Sequence, residues 1–409
     1  MNFDAIIVGA GPIGSTVAKM IAREGYEVMI LEEHSQVGLP QHCTGKISVN
    51  ALKELNLPNI GIRQKVRGAT FYSPDMNFLS VEQKDVQAYI LDRAVLDRWL
   101  LEKAVDAGAT LLTNARVMDV SIDLHRANVW FSHNGETHQL TARIVVGADG
   151  AGSSIARHLG LYSKEMSTIT FAVQREMTNL NNFKPEFVDI YLGKRYAPGF
   201  FAWIVPTGEA SAKVGLGVDL SQSKYLLNYL EGFITSHPIS SKKLEGGLCI
   251  SQTAHIIPTG GTLLQTVSDG VLIVGDAAGQ VKSTTGGGLY YGMVCAEIAG
   301  QVISKVLSSS EDILRKDVLV EYQNRWRERF GKEIEISAKM RLILASLTDD
   351  ELNYLINIIR RDEVLIGMIE AEGDIDWQSR LSVPVLTRLT SALVKRPKLL
   401  LKIGRLLVN

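Results

Sequence analysis

The sequence predicts an α/β fold in three parts: a parallel-sheet domain that is discontinuous in the chain, an antiparallel β-sheet domain inserted into it, and a helical C-terminal region. Three observations carry this assignment. The apolar run Ala5-Ile6-Ile7-Val8 leads straight into Gly9-Ala10-Gly11-Pro12-Ile13-Gly14 and a stretch of helical spacing, 13–23, as a buried parallel strand turning into a helix does. Residues 165–260 shift to short β-rich runs, and from Leu289 onward helical periodicity dominates. The expected division is 1–164 and 261–310 for the discontinuous domain, 165–260 for the sheet domain and 311–409 for the helical region.

The first unit is of Rossmann type, and its three glycines have separate tasks. Gly9 permits a tight turn, Gly11 lets the backbone approach a pyrophosphate, and Gly14 lets the helix pack closely on the strand. The phosphates then meet the helix N-terminus, where unpaired N–H groups and the dipole favour anions. A second strand, 27–31, ends at Glu32, where an acid can accept hydrogen bonds from ribose hydroxyls. A lone GxGxxG is weak; the preceding strand and Glu32 make a dinucleotide site of it.

A glycine-rich polar loop follows at 37–48, placed to lie across a cofactor. A helix is expected at 94–107 and a strand near Leu111. Runs 117–122, 128–131 and 137–141 read as a meander, with Asn134-Gly135 as a type I′ turn. Residues 144–150 then return to the parallel sheet. In the inserted domain, strands are expected at 168–173, 187–191, 200–205 and 213–218, with one helix at 224–235 that stops before Pro238. The apolar run 271–274 re-enters the first domain and ends in Gly275-Asp276-Ala277-Ala278-Gly279.

Bulk properties narrow the function classes. With 409 residues, a net charge of −1 and 46% hydrophobic residues, the chain buries a sizeable core and is not built for nucleic acid as a general partner. No run of 18 uncharged apolar residues occurs, and the fold starts by residue 3, so a cytoplasmic protein, peripheral on a membrane, is expected. Cys43, Cys249 and Cys295 are scattered, and the eight histidines form no metal-ligand spacing; no metal is expected.

The pieces Gly9 to Gly14 with Glu32, Cys43-Thr44-Gly45, Asp92-Arg93, Asp149-Gly150, the 198–206 stretch, and Gly275-Asp276 with Thr285 to Gly288 resemble, in this order, the geranylgeranyl reductase family of FAD-dependent oxidoreductases. The resemblance covers nearly the whole chain. It lies nearest the archaeal branch, the digeranylgeranylglycerophospholipid reductases, within the wider aromatic hydroxylase-like group. It implies FAD held by Gly9, Gly11, Ile13, Gly14, Glu32, Cys43, Thr44, Arg93, Val117, Asp276, Gly288 and Leu289. Asp276 follows a buried strand and can accept from the ribityl chain or ribose; a helix N-cap role is its alternative. Residues 284–288 are expected to open the next helix, presenting N–H groups to the flavin N1–C2=O edge. Relatives carry proline where this chain has Ser283. For Arg93 a plain salt bridge stands beside the cofactor reading.

Phe201-Ala202-Trp203-Ile204-Val205-Pro206 is similar to the family's YxWxxP element, with Phe201 in place of tyrosine. Period-two alternation puts Phe201 and Trp203 on one face, as lining of an apolar cavity or as ordinary sheet core. The resemblance places Cys43 beside the flavin ring, in a positioning role; simple burial is the commonest fate of a free cysteine. Cys43, Trp203 and Phe201 are the candidate catalytic residues.

The expected reaction is saturation of geranylgeranyl chains of isoprenoid lipids by hydride from reduced flavin. A prenylated lipid would be the substrate, and NAD(P)H, ferredoxin or another reduced carrier the electron donor. An FAD monooxygenase or halogenase, and a non-catalytic flavin-bearing lipid-binding protein, are the alternatives. The C-terminal segment 381–409 carries six basic residues and no acid, with Leu399, Leu400, Ile403, Leu406 and Leu407 on one helical face and Lys398, Lys402 and Arg405 on another. Such a helix lies on an anionic lipid surface or packs on its own core.

Overall fold

The computed structural model describes residues 2–162, 168–308 and 313–408. The boundaries expected at 164/165 and 310/311 lie outside the described residues. The chain folds as two compact units: Met1–Gln41, Asp92–Thr168 and Pro258–Ile334 form one, and His42–Leu91, Ile169–Ile257 and Glu335–Asn409 the other. Residues 42–91, expected with the cofactor domain, group with the second unit because their strands pair there.

In the first unit, strands Val271–Ile273, Glu136–Gly147, Asn2–Val8, Val28–Leu31 and Thr110–Leu112 lie side by side in that order with parallel pairing throughout. Val8 pairs with Gly147 on one side and Leu31 on the other, so three strands end level, and the loops that follow share the edge where α/β sheets bind ligands. The meander is present as Ala115–Ile122, Ala127–His133 and Glu136–Gly147. Its turn has φ 52° at Asn134 and 82° at Gly135, as type I′ requires. The expected runs 137–141 and 144–147 are one strand, a hairpin arm in its first half and a parallel neighbour of Asn2–Val8 in its second. Helix Arg93–Asp106 starts at Asp92, whose carboxylate accepts from the Ala94 and Val95 N–H groups, an ordinary N-cap.

The second unit holds a seven-stranded sheet: Leu248–Ile257, Thr170–Thr178, Ser211–Asp219, Phe201–Gly208, Phe187–Leu192, Gly68–Tyr72, Phe78–Glu82. Neighbours are antiparallel except Phe187–Leu192 with Gly68–Tyr72. One face buries Tyr191, Ile204 and Val214 with Leu230 and Phe233 of helix Leu226–Thr235. The other packs Trp203, Val205 and Val188 with Val66, Ala88 and Ile90, contributed by a small sheet of Lys46–Ser48, Ala88–Leu91 and Ile62–Val66.

Helices Asp349–Ile359, Glu363–Glu372, Ser379–Leu393 and Pro397–Val408 complete this unit. In the last, Leu399 and Ile403 are 2% and 4% exposed, inside a cluster with Leu347, Leu352 and Leu365. The apolar face of the tail is therefore covered by its own core at Leu399 and Ile403, while Leu407, expected on the same face, is exposed. Lys402, expected on the basic face, donates to Glu351 at 2.6 Å.

Candidate functional site

Gly9 has φ +100°, and a Cβ there would stand 2.5 Å from the Ala148 carbonyl oxygen; on Gly14 it would stand 1.9 Å from the Gly9 oxygen. Both positions exclude a side chain for reasons internal to the fold. Gly11 differs, since a Cβ there meets nothing within 4 Å. The space above it is open, and Gly11 caps helix Pro12–Ala22 without a side chain, which leaves the first-turn N–H groups to a ligand.

Around this turn the Glu32 carboxylate accepts from the Ala10 N–H at 2.8 Å and from the His34 N–H at 3.0 Å. The His34 ring nitrogen lies 2.7 Å from the same oxygen. A carboxylate has about four acceptor positions, so Glu32 holds the loop and keeps capacity for hydroxyls. Its carbonyl accepts from the Ala115 N–H at 2.8 Å, which sets the strand carrying Val117 beside it.

The second signature packs on the first through Ile13, whose side chain fills the room left by Gly275 and Gly292. Asp276 sits in the turn Gly275–Ala278, which has no side-chain cap, so the N-cap alternative is not its role. Among the described residues no hydrogen bond reaches its carboxylate. Burial pushes the Asp276 carboxyl up to about 6, opposed by the Arg93 guanidinium. Arg93 pairs in bidentate fashion with Asp97, at 2.9 and 3.0 Å; it forms the salt bridge and also acts on Asp276. Gly288 makes the room that Asp276 needs, for a Cβ there would stand 2.3 Å from a carboxylate oxygen.

The stretch before helix Leu289–Leu307 departs from expectation. Residues 282–287 close a turn in which the Thr285 and Gly286 N–H groups donate to the Lys282 carbonyl, at 3.1 and 2.7 Å. Two N–H groups counted as open to a ligand are used within the turn, and the helix begins at Leu289, with Gly288 as a cap lacking a side chain. Asp149 serves the fold, with one carboxylate oxygen accepting from the Ser154 N–H and hydroxyl at 2.9 and 3.1 Å.

In the second unit, Cys43-Thr44-Gly45 is fastened to the large sheet. Gln174 donates to the His42 carbonyl at 3.2 Å, and Lys213, itself buried, donates to the Cys43 carbonyl at 2.7 Å. The His42 ring stacks on His255 with centroids 4.5 Å apart, and the Gly45 N–H donates to the Cys43 sulfur at 3.3 Å. Sequence reasoning missed Gln174, Lys213 and His255, because an isolated polar side chain in a strand normally marks the solvent face. Phe201 and Trp203 share one sheet face, edge to face at 5.8 Å. The Trp203 ring lies against Gly215, where a Cβ would stand 2.6 Å from it. Its indole N–H is buried with no partner among the described residues.

The open floor at Gly11, the unbonded Asp276 carboxylate and the uncapped helix at Gly288 fit a flavin dinucleotide. Residues 2–325 match the family described as FAD binding domain. A digeranylgeranylglycerophospholipid reductase of Methanopyrus kandleri is 34% identical, over 89% of this chain and 92% of that one. One of Methanocaldococcus jannaschii is 33% identical, over 86% and 89%. A geranylgeranyl bacteriochlorophyll reductase-like structure from Thermoplasma acidophilum superposes with a TM-score of 0.82 at 26% identity, covering 95% of this chain and 99% of that one. The likeness to flavin-dependent halogenases, such as one at 20% identity and a TM-score of 0.67, is one of fold alone. The chain therefore belongs to the FAD binding domain family and, within it, to the digeranylgeranylglycerophospholipid reductases, as an FAD-dependent oxidoreductase.

Proposed function

We propose that the chain saturates carbon–carbon double bonds in the geranylgeranyl chains of isoprenoid glycerophospholipids. The observation that carries the reading is the likeness to reductases of that name along almost the full chain, joined to a carboxylate and a glycine floor that fit a dinucleotide. FAD, when bound and reduced, would supply the hydride. Glu32 and Asp276 would accept from its hydroxyls, Gly11 would leave room for its pyrophosphate, and Gly288 and Leu289 would stand at its pyrimidine edge. An isolated trisubstituted alkene accepts hydride poorly, so a proton leads or accompanies it, and positive charge builds on the more substituted carbon. Aromatic faces such as Phe201 and Trp203 suit that charge. Gln174 and Lys213 hold the Cys43 loop in one position, which orients what binds beside it.

NAD(P)H bound transiently, ferredoxin or another reduced carrier is the proposed electron source. Among the described residues no helix is long and apolar enough to cross a membrane. Access to lipid is proposed through the outer face of the last helix, where Lys398, Leu401 and Arg405 fall on one side and Leu401 is 61% exposed. The test is an anaerobic incubation of chemically reduced protein with prenylated glycerophospholipid, read by mass. Gain of two hydrogens per saturated bond supports the reading; reduced flavin that persists beside unchanged lipid defeats it.

A further inference from the structure

We infer that Gln280 and Tyr322 are positioning residues for the cofactor: joined in one hydrogen-bond chain, they fix the turn Gly275–Ala278 so that the Asp276 carboxylate is aimed before FAD arrives. The inference rests on the reading that Asp276 accepts from an FAD hydroxyl.

Among the described residues no hydrogen bond steadies the Asp276 carboxylate, so its direction has to come from the backbone that carries it. That backbone is gripped at Gly275 by one residue. Gln280 donates its own N–H to the Gly275 carbonyl at 3.0 Å, and its side-chain oxygen accepts from the Gly275 N–H at 2.8 Å. The Gln280 amide nitrogen donates to the Tyr322 hydroxyl at 2.9 Å, and that hydroxyl donates to the Ile273 carbonyl at 3.1 Å. Gln280 and Tyr322 are both 0% exposed. Since Tyr322 belongs to helix Lys316–Trp326 and Ile273 ends strand Val271–Ile273, the chain ties the turn to two rigid elements.

The directions of these bonds are forced. A backbone N–H can only donate and a carbonyl can only accept, and burial raises the Tyr322 hydroxyl well above its ordinary value, which keeps its proton in place. The hydroxyl gives that proton to Ile273 and accepts from the amide nitrogen, so the amide oxygen faces Gly275. Reversing the amide would set two buried N–H donors face to face. Asp276 follows Gly275 directly, and its carboxylate occupies the room left by Gly288, where a Cβ would stand 2.3 Å from the carboxylate oxygen. A turn displaced by about 1 Å loses that fit.

The experiment measures FAD affinity for Tyr322→Phe and Gln280→Met, each alone and combined with Asp276→Asn, at about pH 8, where Asp276 is ionised. Each single variant is expected to bind FAD about tenfold more weakly, and by less than about twofold in the Asp276→Asn background, because both residues act through that carboxylate. The pH at which affinity falls should also move below about 6, since a loosened turn lets water reach the carboxylate. Folded variants with unchanged affinity, or with the same loss in both backgrounds, overturn the inference. Should neither variant fold, amide exchange of the wild-type apo-protein decides: slow exchange at Gly275 without FAD supports a turn fixed in advance, and fast exchange overturns it. Asp276→Asn that binds FAD like wild type defeats the underlying reading, and the inference with it.

Discussion

Replacing Gly11 with alanine is expected to cost the protein its FAD while leaving the fold intact, whereas the same change at Gly14 damages both. Gly11 has φ −65° and ψ 179°, an extended conformation open to any residue, and its new methyl meets no protein atom within 4 Å. Removing a glycine from the unfolded chain contributes about 0.4–1 kcal/mol, and losing a good N-cap residue costs a comparable amount, so the net change in apo stability is near zero. At Gly14 the methyl stands 1.9 Å from a backbone oxygen, which no side-chain motion relieves. For FAD, the Gly11 methyl fills the space through which the pyrophosphate approaches. Overpacking of this kind costs roughly 1–3 kcal/mol, or about 5- to 150-fold in Kd. Denaturant melts of the apo-proteins and titration of FAD by fluorescence quenching separate the two effects. FAD affinity in Gly11→Ala within about threefold of wild type, some 0.7 kcal/mol, or an apo loss above about 2 kcal/mol, would refute the argument that this glycine is kept for the ligand.

Three further outcomes are expected. Because burial lifts Asp276 to about 6 and the ionised form is the better acceptor, FAD affinity of wild type weakens as pH falls through that value, while Asp276→Asn binds weakly with a flat profile. Apo stability runs the other way: the proton is held more tightly when folded, so this contribution is full below the unfolded value and is lost as pH rises through about 6. FAD titrations and apo melts from about pH 5 to 8 read both signs. Trp203→Phe keeps an aromatic filler beside Gly215 and is expected to hold FAD as wild type does while losing roughly tenfold in turnover of long prenyl substrates; equal loss of cofactor would make Trp203 purely structural. On the last helix, Lys398→Gln with Arg405→Gln removes two cations worth about 1 kcal/mol each at an anionic surface and is expected to weaken vesicle binding about 30-fold without lowering Tm; unchanged binding would exclude this face as the lipid contact.

The start of the chain was legible because each local signal agreed with the next. An apolar run, three glycines with distinct steric duties and an acid after the second strand admit one arrangement, and Asn134-Gly135 fixed the hairpin register. The second unit was harder to read. Strand Phe78–Glu82 is only five residues long, and the exposed Phe78 blurs an alternation otherwise set by Leu79 and Val81, while Leu248–Ile257 leaves Leu248 and Ile250 in solvent, so the period-two signal is faint in the first and missing in the second. Asp276 could be singled out from its place after a buried strand, but Lys213 and Gln174 could not, because an isolated polar residue in a strand normally marks the solvent face. Here it marks a face onto which a loop is hydrogen-bonded. The last helix shows the limit of pattern most clearly. Its periodicity requires that Leu399 and Ile403 be covered and is silent on what covers them. Since helices of the same unit do so, removing the segment would unfold the core it closes, with a buried leucine alone worth about 2–5 kcal/mol. A lipid contact has to be sought on the outward side, through Lys398, Leu401 and Arg405, by substitutions that leave Leu399 and Ile403 in place.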